Sequence, residues 1–201
     1  MVSCVIMDFG MVCVSVETVI ICSFVTLGLG LFACNNNGEQ HQDAVDSAKT
    51  VNKEVKPVEA DASNFAVKAA NGGMMEVELG KIAMTNAANT RVRAFGDMMV
   101  KDHSQANENL KTIANSLNIA LPDSVSDEAR KEIDKLKMKK GKDFDKAYVD
   151  MMVDDHKKDI DEFKKCASDC SDSTIKSFAS NTLPVLEKHL DSIQSIAAVK
   201  K

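Results

Sequence analysis

Between residues 63 and 199, small and apolar side chains recur every three or four positions in four long runs, a pattern that buries its apolar face only when helices pack side by side. The first run, 63–88, aligns Ala66, Ala69, Gly73, Glu76, Gly80, Ala83 and Ala87, small enough for a neighbouring helix to approach closely. The second, 90–117, aligns Val92, Phe95, Met99, His103, Ala106, Leu110, Ile113 and Leu117, and ends before Leu121-Pro122, where proline pushes its predecessor out of the helical region. The third, 143–167, aligns Phe144, Tyr148 or Val149, Met152, His156, Ile160 and Phe163. In the fourth, 172–199, the expected stripe is Ile175, Phe178, Thr182, Val185, His189, Ile193 and Ile196, with Pro184 removing one backbone hydrogen bond. One tyrosine, no tryptophan and three prolines in 201 residues agree with an all-α four-helix bundle in one domain, 63–199.

A short internal repeat bears on how the helices connect. Asp97-Met98-Met99-Val100-Lys101-Asp102-His103 returns as Asp150-Met151-Met152-Val153-Asp154-Asp155-His156, and each histidine stands about one-half of the way along its helix. Parallel second and third helices put the two motifs at one height, and residues 118–142 supply the long connection this needs. Within that connection, 126–140 reads as a short surface helix led by Ser126 and stopped at Gly141. About 14 helical residues cover roughly 20 Å, which suits the crossover of ferritin-like bundles. An up-down bundle also brings the two midpoints together.

Ahead of the bundle, residues 18–33 are apolar and uncharged and run into Cys34-Asn-Asn-Asn-Gly-Glu, the pattern of a signal-peptide core and cleavage site. Leu31-Phe32-Ala33-Cys34 resembles the lipobox of bacterial lipoproteins, which implies a signal peptide over 1–33, acylation of Cys34 and membrane attachment through the lipid. A single membrane-spanning anchor is the alternative reading of the same run. Either places the bundle outside the cytoplasm, in the cell envelope. Residues 34–62 are polar, contain Pro57 and lack apolar periodicity, so a disordered tether is expected. The formal charge of −5 becomes −3 without 1–33, which carries Asp8 and Glu17 and no base, and no basic surface for nucleic acid is indicated. Of six cysteines, Cys166 and Cys170 alone remain in the bundle, and outside the cytoplasm they most simply form a local disulfide. A redox or metal thiol pair is the alternative, disfavoured by Asp169 and Asp172, which raise a thiol pKa.

The order of segments resembles the exported ferritin-like proteins known as domain of unknown function 4142. The resemblance is carried by Phe65-Ala-Val-Lys-Ala-Ala-Asn-Gly-Gly-Met-Met-Glu76-Val-Glu-Leu-Gly80-Lys-Ile-Ala83, Phe95-Gly-Asp-Met-Met-Val-Lys-Asp-His-Ser104, Phe144-Asp-Lys-Ala-Tyr148 with His156, and Leu183-Pro184-Val-Leu-Glu-Lys-His189-Leu190. It covers about 63–197 and implies a ferritin-like fold and export, without a settled activity. The Glu-x-x-His pattern of di-iron bundles is missing, since Val100, Val153 and Leu186 stand three residues before the histidines.

His103, His156 and His189 lie on the inward stripes of three helices and Glu76 on that of the fourth. A buried carboxylate needs a proton, an imidazolium or a metal as partner. Three imidazoles with a carboxylate would suit Zn, Fe or Cu; the same residues could instead form a structural polar cluster. Asp102 and Asp155, beside two of the histidines, are further ligands or face an adjoining groove. The doublets Met74-Met75, Met98-Met99 and Met151-Met152 suit Cu(I) or simply fill core gaps. The expected function is that of a non-catalytic envelope lipoprotein with a structural or metal-binding cluster. A metal-dependent oxidoreductase or metal-storage protein is the alternative.

Overall fold

The computed structural model describes residues 42–199, and the expected leader and Cys34 lie outside them. Six helices follow one another: α1 (Ala44–Val55), α2 (Ala60–Asn86), α3 (Thr90–Ser116), α4 (Asp127–Lys137), α5 (Gly141–Asp169) and α6 (Ser173–Ala198). The four long ones are those expected from the periodicity, and among the described residues there is no strand.

Helix ends are set by side chains that satisfy the free N–H groups of the first turn. Asp43, Asn89, Ser126 and Asp172 cap α1, α3, α4 and α6 in this way. Cys170 ends α5: its N–H donates to the Cys166 carbonyl, and a disulfide joins the two residues with Cα atoms 4.6 Å apart. α6 continues through Pro184, at the cost of one ladder hydrogen bond.

The direction of the helices follows from contacts at their ends. The buried Asp145, in the first turns of α5, accepts hydrogen bonds from the Ala88 and Asn89 N–H groups at the α2–α3 turn, at 3.1 and 3.0 Å. α5 therefore starts where α3 starts, and the two run parallel. Ser171, just before α6, donates to Asp61 at the start of α2, and Arg91 at the start of α3 donates to Ser195 near the end of α6. α6 thus lies antiparallel to α3 and α5. The crossover returns along α2, from Ser126, whose N–H donates to the Asn71 amide, to Lys137 and Lys139, whose carbonyls accept from the Asn86 amide.

Three expectations change. The tether predicted over 34–62 holds α1 instead, and α2 begins three residues early. The buried Asn52 donates to the Ala120 carbonyl at 2.9 Å and accepts from the Ala120 N–H at 2.7 Å, and Asp43 accepts from the Asp127 N–H at 2.7 Å, so α1 is fastened to the crossover by polar residues that periodicity does not register. On α6 the inward residue is Leu186, 2% exposed, and Val185 faces outward at 38%. At about 100° per residue, Phe178, Leu186, His189 and Ile193 share an arc of roughly 80°, and Val185, about 100° round from Leu186, sits just past its edge.

The core is in two parts. One packs Leu79, Ala83, Phe95, Met99, Phe144, Tyr148, Met152 and Ile193. The other packs Phe65, Ala66, Leu110, Ile160, Phe163, Ile175, Phe178 and Leu186. In sequence position, Glu76, His103, His156 and His189 fall between the two on each helix. α2 and α3 meet backbone to backbone, since a Cβ on Gly80 would sit 2.6 Å from the Gly96 carbonyl oxygen and one on Gly96 2.7 Å from that of Gly80.

Gly96→Ala is expected to destabilise the protein by about 1–3 kcal/mol in chemical denaturation, because the added methyl must push the two backbones apart. Asn52→Ala strands the paired groups of Ala120 and is expected to cost about 1–3 kcal/mol, with cleavage between α1 and α2 in limited proteolysis as the sign that α1 has come loose.

Candidate functional site: a buried histidine cluster

The four helices deliver one polar residue each to the layer between the two apolar halves. Glu76 is 2% exposed, His103 6%, and His156 and His189 fully buried. The His103 ring centroid lies 5.9 Å from that of His156 and 5.2 Å from that of His189, with 5.4 Å between the latter two. One potential ligand atom from each ring lies within 4.8 Å of the others. Phe95 packs edge-on against His156 and His189, at 6.2 and 6.4 Å, and closes one side in hydrocarbon.

Each ring has one nitrogen held. His103 Nδ1 is 2.9 Å from Glu76 Oε2. His156 Nδ1 is 3.0 Å from the Met152 carbonyl oxygen, one turn earlier on its own helix, and 3.5 Å from Glu76 Oε1. His189 Nε2 is 3.0 Å from Asp102 Oδ2. A carbonyl or carboxylate oxygen accepts, so the facing nitrogen carries the hydrogen and the other keeps its lone pair. Those other nitrogens, His103 Nε2, His156 Nε2 and His189 Nδ1, are buried without a hydrogen-bond partner, as are Glu76 Oε1 and the Tyr148 hydroxyl.

Burial dominates the electrostatics because it penalises whichever form is charged. It pulls His103 down to about 4 against the weaker opposing effect of Asp159 and Asp102, and pulls His189 down to about 4 against its hydrogen bond to Asp102. His156 is lowered for the same reason, with Glu76 opposing. Glu76 moves the other way, raised by burial to about 7 although His156 favours its charge. Asp159 is pushed up to about 8 by burial, then by the nearby charges of Glu76 and Asp155. Burial likewise raises Tyr148 and Asp155. At neutral pH the three rings are uncharged lone-pair donors.

The residues singled out in the sequence thus meet, with their roles divided. Glu76 holds the His103 ring through Nδ1 and stands 3.5 Å from that of His156. Asp102 orients His189, while Asp155 lines a groove with Asn71, Met75, Ala129 and Met151. Met99 and Met152 are wholly buried in the core. Asp159 was missed. It stands three residues after His156, hence on the same helical face, and it lines a cavity of about 40 Å³ together with Glu76, His103 and Asn107; the signal was that three-residue spacing, passed over because the apolar Ile160 beside it filled the stripe.

Such a molecule is, by class, an all-α bundle with a crossover connection and a histidine layer at mid-height. The chain belongs to the family described as Domain of unknown function (DUF4142), which it matches over residues 38–196. No curated protein matches it. Its fold is similar to the crystal structure of "putative secreted protein DUF305 from Streptomyces coelicolor", with a TM-score of 0.57 and 19% identity over 70% of this chain and 94% of that one.

The held rings make a pH signature. An unfolded histidine takes up its proton near pH 6.5 and folded His189 only near 4. Between those values the unfolded chain binds more protons, so this histidine makes stability fall as pH falls. His189→Gln removes that contribution, and the stability of the metal-free variant is expected to rise less steeply with pH between 4.5 and 6, by about 1.4 kcal/mol per pH unit at most. Denaturation of wild type and variant across that window, in the presence of chelator, measures the difference.

Proposed function

We propose that this chain is an exported helical-bundle protein that holds one divalent transition-metal ion, Zn, Fe or Cu by donor type, on His103, His156 and His189. The observation that carries the reading is the set of three buried imidazole nitrogens without a hydrogen-bond partner. A cluster serving only to fasten helices would pair them, because each unsatisfied buried polar group costs about 1–3 kcal/mol. Here the second nitrogen of every ring is already bonded to a carboxylate or a carbonyl, which sets the lone pairs free. Metal-ligating histidines are held in this manner, with the outer bond fixing tautomer and ring orientation. Nitrogens about 2.1 Å from one tetrahedral ion stand roughly 3.4 Å apart, so the rings would turn inward by a modest rotation. Their low proton affinity helps, since no imidazolium has to be deprotonated first.

Export is supported by the leader pattern, by a disulfide that suits an oxidising compartment, and by a similar fold in a protein described as secreted. Lipid attachment rests on Cys34 and its lipobox-like setting. No helix among the described residues is long and apolar enough to cross a membrane. The function is metal holding or metal handling, with catalysis as no part of the proposal.

Elemental analysis of the full chain, purified without an affinity tag, tests this, followed by titration of chelated protein with Zn(II), Fe(II) and Cu(I). Near-stoichiometric ion is expected in the wild type and none in a His103→Gln/His156→Gln variant whose circular dichroism remains helical. Wild-type protein that carries no ion and binds none of the three defeats the reading and leaves a structural cluster.

A further inference from the structure

The cavity beside the histidines leads somewhere. It is lined at its inner end by Glu76 and His103, next by Asp159, Asn107 and Thr182, and farther out by Lys68 and Glu162, an exposed ion pair 3.1 Å apart. On α5 the order is regular: His156, Asp159 and Glu162 are spaced by three residues, so one helical stripe leads from the cluster to the surface over roughly 9 Å. On α2, Lys68, Gly72 and Glu76 are spaced by four. Exposure falls along the way, from Glu162, about half exposed, through the partly exposed Asp159 to Glu76 at 2%.

Two lining residues, Glu76 and His103, carry atoms that mark it as more than a packing gap. Glu76 Oε1 and His103 Nε2 are unpartnered and belong to side chains more than nine-tenths buried. The cavity, about 40 Å³, has room for about one or two waters. That is enough for a cation that keeps part of its hydration shell.

We propose that this cavity is a carboxylate vestibule, a second cation site in which Asp159 and the free oxygen of Glu76 take a hydrated divalent transition-metal ion before it passes to the three histidine nitrogens. The proposal rests on the metal-binding reading of the cluster. Oxygen donors exchange ligands readily with a hydrated cation and hold it more weakly than imidazole, so the ion moves inward along rising affinity. The ion pair of Lys68 with Glu162 covers the outer end, and being exposed it opens at little energetic cost.

Gly72 offers a way to close this route without touching a donor. It lines the cavity, and a Cβ built on it meets nothing within 4 Å. A side chain there enters open space in a helix that gains from losing a glycine.

Uptake of Co(II) by the chelator-treated full chain, followed by stopped-flow absorbance, tests the proposal. Wild type, Gly72→Ala, Gly72→Leu and Asp159→Asn are compared, with equilibrium affinity measured for each. Gly72→Leu is expected to slow uptake and release together while affinity is preserved, and Gly72→Ala to behave as wild type. Asp159→Asn, which takes away an oxygen donor that can become anionic, is expected to slow uptake by about tenfold or more, with smaller loss of affinity than of rate. Uptake unchanged in both Gly72→Leu and Asp159→Asn overturns the vestibule and leaves the histidine site standing. Wild type that binds none of Co(II), Zn(II), Fe(II) and Cu(I) at equilibrium overturns both.

Discussion

A carboxylate at mid-bundle, 2% exposed, has few ways to exist, and the layer around Glu76 is arranged by that constraint. Water is replaced by the His103 Nδ1–H at 2.9 Å, while His156 Nδ1, 3.5 Å from the other oxygen, bonds the Met152 carbonyl. Those two bonds turn the rings, and turning the rings decides where their lone pairs are placed. His189, beyond direct reach of Glu76 in these pairings, is set by Asp102 from the neighbouring helix. Removing one member would strand the others, because a buried polar network is favourable only when its members remain paired.

The fold serves this layer through close approach and direction. Glycines 80 and 96 let α2 and α3 touch backbone to backbone just below Glu76, which brings His103 within bonding distance of a short carboxylate side chain. The crossover makes α3 and α5 parallel, and the repeated Asp-Met-Met-Val-x-Asp-His segment then puts His103 and His156 at one height. The repeat is identical at six of seven positions, yet its two histidines bond differently: one finds Glu76 at close range, the other its own helix carbonyl at Met152. Identical local sequence meets different neighbours, and the neighbours choose the partner.

The two apolar halves of the core isolate the layer. Phe95 and Tyr148 lie on one side, Leu186 and Phe163 on the other. This surrounding keeps the rings neutral and raises the carboxylates, since it offers nothing to solvate charge. The cavity toward Lys68 and Glu162 interrupts the hydrocarbon on one side and gives the layer a direction.

Periodicity alone determined the four long helices, the inward placement of Glu76, His103, His156 and His189, and the small-residue face of α2, because those depend only on the 3.6-residue turn and on which side chains avoid water. It could not see α1, which Asn52 and Asp43 fasten to residues 68 and 84 positions away. Nor could it separate Val185 from Leu186, where adjacent apolar residues compete for one stripe. Which nitrogen of each ring is held, that Asp102 serves His189, and that Asp159 opens on the same cavity as Glu76 were decided by tertiary structure. Those relations depend on distances between helices far apart in the chain, and a hydrogen bond is made or lost within a few tenths of an ångström.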